Sequence, residues 1–173
     1  MLPHGVSIAV QAARHLKLEL ADAIAVVRPG SDELVQALKG EGCEVVVCDN
    51  AAEGMGASLA CAARAAAHSY PAADGYLVAL GDMPFVRRTT IAALRDALAA
   101  GAPLAAPYFR ARRGHPVALS KKFLPELHGL KGDEGAKKIL AQNERVLVKI
   151  PVGDPGVIRD IDTPGDLSPP LRI

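Results

Sequence analysis

Two short acidic turns carry the residue types best suited to chemistry in this chain. Gly81-Asp82-Met83-Pro84 follows the apolar run Tyr76-Leu77-Val78-Ala79-Leu80, and Asp160-Ile161-Asp162-Thr163-Pro164 lies far away in sequence. A continuous apolar run bounded by a turn reads as a strand buried on both faces, and Pro84 cannot continue a ladder. Asp82 is therefore expected at the carboxyl end of a strand, the edge at which open α/β sheets bind ligands. Two carboxylates so placed, Asp82 and Asp162, suggest one divalent-metal site. An Asp in a Met-Pro turn can equally do no more than accept backbone hydrogen bonds, and the residues alone leave these readings balanced.

Three further segments could act on a ligand. Glu53-Gly54-Met55-Gly56-Ala57-Ser58-Leu59 sets two glycines around a Met at a helix entrance. Free backbone N–H groups and Ser58 would suit a polar ligand there, although such a turn is more often only a turn. Arg110-Ala111-Arg112-Arg113-Gly114-His115-Pro116-Val117 gathers three cations and an imidazole in one loop. It reads as a solvated hairpin or as a phosphate clamp, because guanidinium forks match phosphate oxygens and Gly114 lets a ligand approach the backbone. The proline holds His115 extended, and the spacing supplies no partners for metal ligation. In Gly132-Asp133-Glu134-Gly135-Ala136, Asp133 is placed to cap the helix that follows.

The elements that must position these residues are legible from hydrophobic periodicity. An amphipathic helix from Val6 to Leu20 leads to a strand over Ala23 to Val27, a helix over Asp32 to Lys39 and a strand over Cys43 to Cys48. A small-residue helix from Ala57 to His68, the strand before Asp82, a helix from Thr89 to Ala100 and an extended run from Leu104 to Phe109 continue the rhythm. Such βαβ alternation predicts an α/β fold with a three-layer, mostly parallel doubly wound sheet. Then His115 to Leu119 reads as a short strand, Phe123 to Leu130 and Glu134 to Gln142 as helices, and Val146 to Ile150 as a strand. No repeat or linker interrupts residues 1–173, so one domain is expected.

Composition narrows the partners. The chain is 50% hydrophobic with a net charge of +1, which gives a substantial core and no electrostatic bias toward nucleic acid. Aromatics at 3% and the lack of Trp argue against base-stacking platforms, so small ligands are expected. No apolar stretch approaches a membrane span, and Met1-Leu2-Pro3-His4-Gly5 lacks the regions of a secretory signal; the chain reads as cytoplasmic, with no membrane partner. Cys43 and Cys48 fall on opposite faces of one strand pattern, which rules out a shared metal and leaves ordinary thiols.

Taken in order, these segments resemble the molybdenum cofactor cytidylyltransferases, relatives of the molybdopterin guanylyltransferases, over almost the whole chain. The family's EGMG-x-SL, GDMP and GHP motifs are all present, as are its G-D-x-G-A stretch and D-I-D-T-P-x-D-L ending. The resemblance implies a nucleotide-diphospho-sugar transferase-like, Rossmann-like fold and transfer of CMP from CTP to molybdopterin, with Mg²⁺ as cofactor and pyrophosphate released. It implies that Asp82 and Asp162 are catalytic and hold the metal, and that Gly54, Met55, Gly56 and Ser58, with Asp82, bind the nucleotide. Arg112, Arg113, Gly114, His115, Pro116 and Asp133 are implied on the pterin side, and a molybdoenzyme or its chaperone as a protein partner. The GHP triplet favours the cytidylyl over the guanylyl branch. The remaining alternatives are another cytidylyl- or guanylyltransferase of this fold and a non-catalytic nucleotide or pterin binder.

One departure bears on activity. The family opens with a strand ending in an L-A-A-G-x-S-x-R-x-G loop and a lysine that hold the triphosphate, and this sequence lacks that stretch; Leu2-Pro3-His4-Gly5 resembles what ordinarily follows it. The lost strand would be central, so two unpaired edges are expected in the core. The chain as given is expected to bind CTP weakly and to turn over negligibly.

Overall fold

The computed structural model describes residues 1–2 and 5–167; Pro3 and His4, within the Leu2 to Gly5 stretch, lie outside them. The described elements are α1 (Ile8–Lys17), β1 (Ile24–Val27), α2 (Asp32–Gly40), β2 (Glu44–Val47), α3 (Met55–Ser69), β3 (Gly75–Val78), α4 (Arg88–Ala99), β4 (Leu104–Phe109), β5 (Arg112–Arg113), β6 (Val117–Ser120), α5 (Leu124–His128), α6 (Gly135–Gln142) and β7 (Leu147–Pro151). Each element expected from periodicity is present. Helix α3 begins two positions early, because Gly54 at φ 124° turns the chain directly into it at Met55.

The two-residue period of a strand decides what each side chain covers. Leu104 and Ala106 of β4 pack with Val117 and Leu119 of β6 against Ala63 of α3, Leu127 of α5, and Ile139 and Leu140 of α6. Ala105 and Ala118 face the other way, onto Leu94 of α4. Helices therefore cover both faces, the three layers expected, and burial on both sides is why these strands read as apolar runs. The buried stripe of α3 consists of Gly56, Ala57, Ala60, Ala63 and Ala66, which bring little side-chain bulk between helix and strands.

Of the five ladders among the described residues, three are antiparallel: those of β6 with β3 and with β4, and that of β5 with β4. The larger sheet runs β3-β6-β4-β5, with β7 on β4. Strand β6 is antiparallel to both β3 and β4, whereas β7 is parallel to β4. It follows that β3, β4 and β7 share one direction, and only β5 and β6 oppose them. The cause is a hairpin: Arg110 and Ala111 both adopt positive φ, 47° and 65°, as the tight primed turns require, and return the chain along β4. The smaller sheet is the parallel pair β1-β2. Among the described residues no ladder joins β1 to β3. No helix among the described residues is long and apolar enough to cross a membrane.

Candidate active site

Asp82 lies just past β3 in a turn anchored by the buried side chains of Met83, Pro84 and Val86. The β3 ladder stops at Val78, short of the whole apolar run, and Ala79 and Leu80 lead on to the turn. The second acidic turn reaches the first through the backbone. Ile161 N–H donates to the Asp82 carbonyl at 2.9 Å, and the flanking Asp160 and Asp162 are exposed. Thr163 N–H and Oγ1–H both donate to Asp166 Oδ2 at 2.8 Å, which closes the turn just after Asp162.

The electrostatics of this juncture are unfavourable in isolation. Asp82 Oδ1 is buried with no hydrogen-bond partner among the described residues. A buried charge without a partner is costly, so the carboxyl favours its proton. Burial pushes Asp82 above the usual carboxylate range against the pull of its own backbone N–H, and the Asp160 and Asp162 charges push it further. An orphaned carboxylate oxygen beside further acids is a hard-oxygen donor set that fits a divalent cation. No cluster of three or more His, Cys, Asp or Glu among the described residues forms a metal site of its own.

A clamp absent from the sequence reading holds the two acidic turns together. Asp154, 2% exposed, accepts from Arg87 N–H at 2.8 Å, Thr90 Oγ1–H at 2.8 Å and Gly156 N–H at 2.9 Å. Arg87 and Thr90 open α4, directly after the Asp82 turn, so Asp154 satisfies an otherwise free donor there. Its own segment runs on to Asp160. Only the Asp-Pro-Gly turn signal was available in sequence; the partners were not. Replacing Asp154 by Ala strands these buried donors, and the expected loss is about 2 to 3 kcal/mol of stability. Urea denaturation checks it, and an unchanged midpoint would show that the clamp holds nothing.

The basic loop is tied to the same segment. His115 N–H donates to the Val157 carbonyl at 2.8 Å, Gly114 N–H donates to Pro107, and the His115-Pro116 bond is cis. The close approach expected of a ligand at Gly114 is made instead by Val157, whose Cβ would lie 2.6 Å from a Gly114 Cβ. Burial holds the His115 imidazole below its ordinary range, Arg113 adds to this, and the Val78 backbone opposes both. His115 and Pro116 line a small apolar hollow with Leu80 and Met83, beneath the Asp82 turn. Arg112 is exposed and Arg113 half-buried on β5.

The Gly54 to Ser58 turn has a different neighbour from the one the sequence grouping gave. Asp133, grouped with the basic loop, lies at the start of α3, where its Oδ1 accepts from Met55 N–H at 3.3 Å. Gly56 N–H donates to the Gly132 carbonyl. A Cβ at Gly56 would meet the Lys131 carbonyl oxygen at 2.6 Å, so this glycine serves the contact between two turns. Asp133 caps α3 across space, whereas α6, the helix expected to receive it, has no side-chain cap. Met55 is 48% exposed, and Ser58 is half-buried in the first turn of α3.

Comparison with known proteins gives the chain's family and fold relatives. A family model described as the MobA-like NTP transferase domain matches residues 1–146. The purine catabolism protein PucB of Bacillus subtilis is 34% identical over 121 residues, 68% of this chain, and the chain spans 56% of that relative's length. The manganese complex of Rv0371c from Mycobacterium tuberculosis superposes with a TM-score of 0.75 at 25% identity, covering 92% of this chain and 82% of that one. A nucleotidyl transferase from Methanothermobacter shares the fold with a TM-score of 0.74 at 23% identity, covering 96% and 79%.

Proposed function

We propose, for a chain that belongs to the MobA-like NTP transferase family, that it transfers CMP from CTP to molybdopterin with release of pyrophosphate, depends on Mg²⁺, and works in the cytoplasm. The observation that carries the reading is the buried, unpartnered Asp82 Oδ1 brought beside Asp160 and Asp162 by the Ile161 to Asp82 hydrogen bond. The GHP triplet supports the cytidylyl branch, and the manganese in the related mycobacterial structure supports a divalent cation.

Asp82 and Asp162 would hold Mg²⁺, which when bound neutralises phosphate charge and orients the triphosphate. The protein's residues do the remaining work by position. Asp82 lies at the strand's carboxyl edge, and the 154–161 segment sets the second acidic turn against it. Gly54, Met55, Gly56 and Ser58 face the cytosine side, where Asp133 and Gly132 fix the turn through Met55 and Gly56. Arg112, Arg113, Gly114, His115 and Pro116 serve the pterin side, with His115 favoured in its neutral form as an acceptor or donor rather than a counter-ion. The terminal phosphate of molybdopterin attacks the α-phosphorus of CTP, so no covalent enzyme intermediate is required. Activity is to be measured on the chain carrying a family-type phosphate loop.

The expected substrate preference is CTP over GTP, as the resemblance to the cytidylyl branch implies. Transfer rates on the same molybdopterin acceptor, measured with loop-bearing protein, test it; equal use of GTP moves the protein to the guanylyl branch.

A further inference from the structure

Outside the acidic juncture, the described residues hold one more reactive cluster, at the junction of β2 and α3. Cys48, at the end of β2, is 1% exposed and its Sγ lies 3.2 Å from Asn50 Oδ1 and 3.8 Å from the Ala57 carbonyl. Ala57 and Cys61 are one helical turn apart in α3, and helical side chains lean toward the amino end of their helix. The Cys61 side chain therefore leans back toward the carbonyl that Cys48 touches, near enough for the Cys61 thiol to push the Cys48 thiol up. Cys61 is half-buried, whereas Cys48 is enclosed. The residues between them comprise Asn50, the short 3₁₀ turn Ala51–Glu53 and the Gly54 to Ser58 turn.

We infer that Cys48 and Cys61 form a thiol–disulfide site that a low-molecular-weight disulfide oxidises to an intramolecular bridge, closing a ring around the Gly54 turn. The electrons balance without a further reactant. Cys61 thiolate attacks one sulfur of the small disulfide and releases one thiol, leaving a mixed disulfide on Cys61. Cys48 then attacks Cys61 Sγ, its proton passing to the departing second thiolate. Two protein thiols are oxidised by two electrons, and the small disulfide is reduced to two thiols. Burial, and then the Cys61 thiol itself, push the Cys48 thiol up, which disfavours Cys48 as the first nucleophile. The bridge goes beyond the nucleotidyl reaction and stands without it; its bearing on CTP rests on the proposed function, since the ring contains the turn assigned to the nucleotide.

The test treats the reduced protein with glutathione disulfide, removes the excess, counts free thiols after denaturation and maps the cross-link by peptide mass spectrometry. The expected result is that of the three cysteines only Cys43 stays free and that the Cys48 and Cys61 peptides are joined. Cys48→Ser should stop at a glutathione adduct on Cys61, and Cys61→Ser should keep both remaining thiols free. Amide exchange across residues 49–60 should slow in the oxidised protein. Three free thiols, or a stable glutathione adduct on Cys61 of the unsubstituted protein, would overturn the bridge; unchanged exchange would overturn the constraint it is inferred to impose.

Discussion

Asp82→Asn is expected to abolish transfer while making the metal-free protein more stable. On activity, losing the carboxylate weakens metal positioning, and the expected fall in the loop-bearing protein is on the order of 10³-fold. On stability the sign follows from linkage. Burial and the neighbouring Asp160 and Asp162 raise Asp82 above its unfolded value, so its contribution is fully present below the ordinary carboxylate range and is lost as pH rises through the raised value. At neutral pH the folded protein carries that penalty and the amide does not. Thermal melting in chelator from acid to neutral pH should show the unsubstituted protein losing stability relative to the variant. Added Mg²⁺ or Mn²⁺ should then raise the melting point of the unsubstituted protein and leave the variant's unmoved. A variant that transfers CMP at near-normal rates, or melts lower at neutral pH, would contradict the reading of Asp82.

Gly156→Ala is expected to cost more stability than any other single change discussed. A Cβ there would overlap the Phe85 carbonyl oxygen and approach the Val86 nitrogen to 2.9 Å, and backbone cannot rotate aside as a side chain can. The chain must move on one side of the contact, and the expected loss is about 4 kcal/mol. One side is the turn after Asp82 and the other leads to Asp160, so separation of the two acidic turns should accompany it. Chemical denaturation gives the stability, and metal affinity measured at low temperature, where the variant is folded, gives the separation. Denaturation within a few tenths of a kcal/mol of the unsubstituted protein would show that the segments are not in contact.

What was legible in sequence was local. The run Tyr76 to Leu80 followed by Pro84 located Asp82 at the end of a strand because both signals lie within one short window. The glycines at 54, 56 and 114 announced close approaches but not by what, since a missing Cβ carries no information about its neighbour. Lys131 and Val157 turned out to be those neighbours at Gly56 and Gly114. The capping tendency of Asp133 was legible, yet the helix it serves is α3, not the one next in sequence, because capping needs only proximity. Asp154 and the Cys48–Cys61 approach were not legible, as each depends on partners that only the packing of α3 and α4 supplies. The shared direction of β3, β4 and β7 was legible, whereas the antiparallel β6 follows from a turn at Arg110 and Ala111, residues that rarely adopt positive φ.

The central claim is that Asp82 and Asp162 together hold a divalent cation for nucleotidyl transfer. Its most direct test is a Mn²⁺ titration followed by electron paramagnetic resonance, with CTP present, on loop-bearing protein and on its Asp82→Asn and Asp162→Asn variants. The account predicts a bound Mn²⁺ signal in the unsubstituted protein, its strong weakening in each variant, and displacement by Mg²⁺. Equal Mn²⁺ affinity in all three proteins would contradict it.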